Sequence, residues 1–293
     1  MRTVELPLIV GVDGSEPSLR TVDWAADEAG LHGVPLRLVY ASMWERYEGS
    51  ALAPAVGRPT EQDLAESIVS VAAERARRRN PDLKISTEVL PEEAVTALLN
   101  EGRNASALLL GSRGRSGIAE LLLGSVCLSV AARADCPVIV IRGNHDTKGD
   151  VHHRIVLGID EPPEGRAAVR FAFEEAQARG AALHAVRAWR SPAHEAIDHP
   201  LLTGEPGRRY EYRAVEILET ALEEAAADHP GVDLHRRTVE GPARKALLAA
   251  SDNADLLVVG AQRRPGHFGL QLGPVSHAVL HHSSCPVAVV PQR

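Results

Sequence analysis

Aromatic side chains make up only 3% of the 293 residues, so a core has to be built from Val, Leu, Ile and Ala. Aliphatic interiors of that kind suit parallel sheets buried on both faces. Cysteine is scarce as well. Cys127, Cys136 and Cys285 form no C-x-x-C pair and no even-numbered framework, which argues against a disulfide scaffold or a thiolate metal site and leaves reduced thiols. There is no long basic run, and the formal net charge is −7, so a nucleic-acid partner is not expected. No apolar stretch approaches a membrane span, and the run near the start stops at Asp13, too short for a signal-peptide core. The expectation is a soluble cytoplasmic protein with no membrane partner.

What the chain does contain is itself, twice. LIVGVDGS at residues 8–15 returns as IVLGIDEP at 155–162, setting Gly11 and Asp13 against Gly158 and Asp160. ALLLGSRG at 107–114 returns as LLVVGAQR at 256–263, and CPVIVIR at 136–142 as CPVAVVP at 285–291. Length favours two domains, and the repeat places them at residues 1–143 and 152–293, joined by a polar segment without apolar period.

In the first half, short aliphatic runs at 6–12, 36–40, 85–90, 107–110 and 138–141 read as buried strands. Segments with helical spacing lie between them at 17–31, 61–78, 92–101 and 125–134, and recur near 165–179, 210–227, 243–251 and 275–282. Strand and helix in alternation predict an α/β fold, a parallel sheet covered on both faces. Residues 42–60 and 191–207 are long connections and read as flaps near the strand ends. Trp24 and Phe171 correspond in the first helix of each half, as core residues would. His152, His153, His281 and His282 read as solvated, and no metal ligand set or catalytic set is assigned.

The residues that carry chemistry sit in GSRGRSGIAELLLGSV, residues 111–126, with glycines spaced Gly111-x-x-Gly114-x9-Gly124 and Ser125 following. In a doubly wound sheet, ligands bind beyond the carboxyl ends of the strands where the strand order reverses. The first strand ends at Asp13 and the fourth at Gly111, so both border one crevice if those strands are neighbours. Glycine lets backbone approach a phosphate closely. Gly124 and Ser125 precede a helix whose N–H groups and positive dipole end favour an anion. Arg113 and Arg115 would add charge, and Asp13 suits ribose hydroxyls. On spacing alone, a tight turn with a helix cap is the competing account.

GVDGS, the complete G-x-x-G-x9-G-S pattern and the Cys-Pro-Val final strand together resemble the universal stress protein family, in particular its tandem actinobacterial members, over essentially the whole chain. The resemblance implies two tandem doubly wound domains, each a five-stranded parallel sheet of order 3-2-1-4-5 with helices on both faces. It also implies bound ATP with magnesium at its phosphates. By position, Val12, Asp13, Gly14, Ser15 and Ala41 would meet the adenine and ribose. Gly111, Ser112, Arg113, Gly114, Gly124, Ser125 and Val126 would surround the ribose and phosphates. Function is then a nucleotide-responsive regulatory module of the stress response, with a slow ATP hydrolase or a pure interaction module as alternatives. The aliphatic final strands are expected to pair the halves as an internal pseudo-dimer, with a homodimer of whole chains also compatible.

The second copy of the motif is degraded. Gly260 and Gly273 remain, but Arg263 stands where Gly114 does and Pro274 where Ser125 does, and Asp160 is followed by Glu161 and Pro162. Proline removes an N–H, and Arg263 brings a side chain to the phosphate approach. The second half is therefore expected to bind nucleotide weakly or not at all.

Overall fold

The structure, a computed structural model, describes residues 5–43, 60–112, 123–142, 151–161, 165–191, 205–261 and 272–292. The chain divides into two compact units, Met1–Gly149 and Asp150–Arg293. The first runs β1 (Leu8–Gly11), α1 (Glu16–His32), β2 (Leu36–Ala41), α2 (Glu61–Arg79), β3 (Ile85–Leu90), α3 (Ala94–Gly102), β4 (Ala107–Gly111), α4 (Ser125–Arg133) and β5 (Val138–Ile141). The second repeats it with β6 (Arg154–Gly158), α5 (Arg166–Arg179), β7 (Ala182–Trp189), α6 (Glu205–Asp228), β8 (Leu234–Glu240), α7 (Ala243–Ser251), β9 (Leu256–Ala261), α8 (Pro274–His282) and β10 (Val287–Pro291).

All pairings within the first sheet are parallel, in the order β3-β2-β1-β4-β5, and the second sheet is ordered β8-β7-β6-β9-β10. Register places Gly11 beside Val39 and Val10 beside Leu109, while Gly158 lies beside Val186. The strand order thus reverses at β1 and at β6, as the resemblance implies.

Local chemistry explains the elements. Helix α1 starts at Ser15, whose side chain accepts from the Ser18 N–H, takes Pro17 into its first turn, and stops at Gly33 with φ 68°. Its buried face is Val22, Ala25, Ala26 and Ala29, a helical period of small residues that lets it lie close on the sheet. Helix α2 opens on a capping box between Thr60 and Asp63. Two paired bridges, Arg75 to Asp23 and Arg79 to Asp27, tie it to α1. Leu36, Leu38, Leu108, Leu109 and Ile139 have almost no exposed surface, each burial contributing about 1.5–3 kcal/mol.

Two expectations need adjustment. Helix α6 already begins at Glu205, so part of the second long connection is helical; residues 44–59 and 192–204 of the two expected flaps lie outside the described residues. Phe171 is only half-buried, and the fully buried aromatic of α5 is Phe173, which stacks with His229 at 5.7 Å.

Candidate functional site

Beyond Gly11 the chain stays extended for one residue, because the Val12 N–H still donates to the Val39 carbonyl at 2.9 Å. It then turns sharply. Gly14 takes φ 78°, a region costly for any residue with a Cβ, and a Cβ there would also meet Ile68 Cγ1 at 3.1 Å. The turn is stitched by polar groups: Asp13 Oδ1 accepts from the Ser15 N–H at 3.0 Å and from the Ser15 hydroxyl at 2.5 Å. Ser18 Oγ donates to the Ser15 carbonyl at 2.9 Å. Ser15 is thus spent on capping α1 and on orienting Asp13.

The opposite wall comes from β4. A Cβ on Gly111 would lie 3.2 Å from the backbone C and O of Pro17 and 3.3 Å from Thr21 Oγ1. Helix α1 occupies the space that the missing side chain leaves, so close helix-to-strand packing is one physical reason for glycine there. The Ser112 carbonyl accepts from the Gly124 N–H at 2.9 Å, which starts α4 beside the end of β4. Gly124, the N-cap of α4, offers no side-chain cap. The first turn of α4 therefore presents its positive end and amide donors outward.

Between these walls lies a cleft of about 180 Å³. Val12, Val39, Ala41, Leu98 and Leu110 give it an apolar side, while Asp13 and Ser18 line it at the turn, and Gly124, Ser125 and Val126 line it at the helix end. Cys127 also borders it, but burial pushes this thiol up to about 12 against a smaller opposing effect of Arg142, so it stays protonated and is no nucleophile. The chemistry offered is a base-sized apolar slot, one carboxylate and an anion-favouring helix end.

At the same place the second unit is finished differently. Arg187 donates to the Ile159 carbonyl at 3.2 Å and to Glu161 Oε1 at 2.7 Å, and it lies 3.8 Å from Asp160. Arg213 on α6 stands 3.6 Å from Glu161. The Glu161 carboxylate, which adds a second acidic group after Asp160, is held by these two guanidiniums. A Cβ at Gly260 would meet Gln292 Nε2 at 2.6 Å, and Gln292 Oε1 accepts from the Gly165 N–H at 3.0 Å. Helix α8 begins at Pro274 after Gly273 with no side-chain cap, so its first residue has no N–H to give.

The sequence model of the universal stress protein family matches residues 7–142 and again 152–291. The chain belongs to this family. A universal stress protein of Mycobacterium tuberculosis is 34% identical over 296 residues, spanning 97% of this chain and 97% of its own. One from Mycolicibacterium smegmatis is 30% identical over 303 residues, spanning 99% and 98%. Among solved structures, a universal stress protein from Archaeoglobus fulgidus superposes with a TM-score of 0.69 at 18% identity, covering 97% of this chain and 98% of that one; at this identity it speaks for the fold.

In this tandem universal stress protein, seven of the residues expected at the site line one cleft: Val12, Asp13, Ala41, Gly111, Gly124, Ser125 and Val126. Gly14 and Ser15 shape the turn behind it, and Ser112 anchors α4. Arg113, Arg115, Gly114 and Arg263 lie outside the described residues. The sequence reading missed Val39, Leu98 and Ser18. Val39 was within reach, because it precedes Ala41 by two and a strand alternates faces with period two. Leu98 was not, since its place depends on how α3 crosses the sheet.

Among the described residues no helix is long and apolar enough to cross a membrane.

Proposed function

We propose that the first unit binds an adenine nucleotide, ATP, in the cleft between Asp13 and the start of α4, and that the protein works as a nucleotide-responsive regulatory module of the stress response. The observation that carries this reading is the convergence on one cleft of an apolar slot, a carboxylate and an uncapped helix N-terminus. The base fits among Val12, Val39, Ala41 and Leu98, which offer apolar contact without bulk. Asp13, fixed by Ser15, accepts from ribose hydroxyls and would repel phosphates, which sets the direction of the ligand. The phosphates then run toward Gly124, Ser125 and Val126. At about 180 Å³ the cleft is below the roughly 300 Å³ of a drug-sized pocket, so it takes the nucleoside and leaves the phosphates to the helix end. Magnesium enters this reading only through the phosphates.

The experiment is calorimetry of the full chain with ATP and with a Ser125→Asp variant. A carboxylate at the anion end should weaken binding by at least about tenfold, or about 1.4 kcal/mol. Unchanged affinity would remove the phosphate cradle. Pairing of the halves through their final strands belongs to the same reading, on the aliphatic character of β5 and β10, each the last strand of its own unit's sheet. Independent tumbling of the halves in relaxation measurements would contradict it.

A further inference from the structure

The first unit places a carboxylate, Glu93, at the start of α3, and the second has none at the matching position. On α3, Glu93 is the N-cap, accepting from Val95 N–H at 3.0 Å and Thr96 N–H at 2.9 Å. Burial works against its charge, but these bonds and the field of Arg133 at the end of α4 hold its carboxyl below the usual range. A carboxylate thus caps α3 within the field of Arg133 at the end of α4. In the second unit the same positions, 149 residues on, read Pro242 for Glu93, Arg244 for Val95, Lys245 for Thr96, His277 for Leu128 and His282 for Arg133. The internal carboxylate is gone, and three new basic side chains have been added.

These residues converge. Arg244, Lys245, His277 and His282 line one groove of about 620 Å³ between α7 and α8, with Leu248, Leu272, Pro274 and Ala278 as its apolar part. Among the described residues neither Arg244 nor Lys245 forms an ion pair, and α7 begins at Pro242 without a side-chain cap. In a chain of net charge −7, a groove with this many cationic or imidazole nitrogens and, among the described residues, no carboxylate in its lining is a local inversion of sign. Its volume falls within the range of small-molecule sites.

We propose that the groove between α7 and α8 is a second ligand site, which binds a small organic anion, a phosphate or carboxylate carried on an apolar body. The anion replaces the carboxylate that Glu93 supplies in the first unit: Arg244 and Lys245 bind it from α7, and the rings of His277 and His282 donate from α8. Leu248 and Leu272 take the apolar body. This site is independent of the nucleotide cleft, which lies in the other unit.

The test uses the full chain and phenyl phosphate, with inorganic phosphate as the comparison, followed through the ring resonances of His277 and His282, assigned by single substitution. Saturable shifts with phenyl phosphate are expected, at least about tenfold weaker with inorganic phosphate, which lacks the apolar body. They should vanish in Arg244→Glu/Lys245→Glu, both exposed positions, and persist in Arg170→Glu, a control on the exposed face of α5, and in Ser125→Asp. Absence of saturation, equal response to both phosphates, or equal loss in the Arg170→Glu control would overturn the proposal and reduce the groove to an unspecific ion atmosphere.

Discussion

The two units share a strand order and nearly the same register, yet the ends of their first strands have been put to different uses. In the first, Asp13, Gly14 and Ser15 form a self-contained turn that leaves a cleft open toward α4. In the second, Arg187 and Arg213 reach across to hold the turn by Glu161, and Gln292 enters the space beside Gly260. The sheet survives these changes because its stability resides in buried aliphatic strands, whose side chains point away from the strand ends. Site chemistry in a doubly wound fold is therefore free to diverge between duplicates while the fold stays put.

The contrast at the two glycines can be broken most severely. Gly111→Val brings a Cβ against the backbone of Pro17, which cannot rotate away, and should cost about 1–3 kcal/mol. Gly260→Val meets only the amide end of Gln292, which can swing aside, so a loss below about 1 kcal/mol is expected. Urea unfolding read by hydrogen exchange in each unit separates the two, and equal losses would show that α1 does not enforce glycine at 111.

A smaller effect concerns the helix caps. Glu93→Ala should destabilise the first unit by about 0.5–1 kcal/mol at neutral pH. The folded-state value of Glu93 is lowered from its reference of 4.5, because its hydrogen bonds outweigh burial. Its contribution is then fully present above the unfolded value and fades as pH falls through the folded one. The gap between wild type and variant, measured by thermal unfolding across acid pH, should close on acidification; a gap independent of pH would contradict the charged cap.

Smallest in stability but sharp in meaning is Pro242→Glu, which gives the second unit the carboxylate of the first. It should add a few tenths of a kcal/mol to α7 and suppress the response of His277 and His282 to phenyl phosphate. Retention of that response would separate the groove from the missing carboxylate.

Much of this is legible in the sequence. Strand positions followed from aliphatic runs such as residues 107–110, since a fully buried strand must be continuously apolar. The site could be placed because a switch-point crevice needs only the ends of β1 and β4, both marked by glycine. What stayed hidden depends on tertiary reach. The contact of Gly111 with Pro17 is 94 residues apart in sequence (111 − 17), and the capture of Glu161 by Arg187 needs β7 to lie beside β6. The α7–α8 groove was hidden for the same reason: Arg244 and His277 belong to different helices, and only their packing makes one basic lining.

The central claim is that the first unit binds nucleotide and the second binds it much more weakly or not at all, and the most direct measurement is the stoichiometry of ATP on the intact chain by equilibrium dialysis. The account predicts one tight site per chain, weakened by Ser125→Asp and untouched by Arg187→Ala. Two equal sites, or one that survives Ser125→Asp, would contradict it.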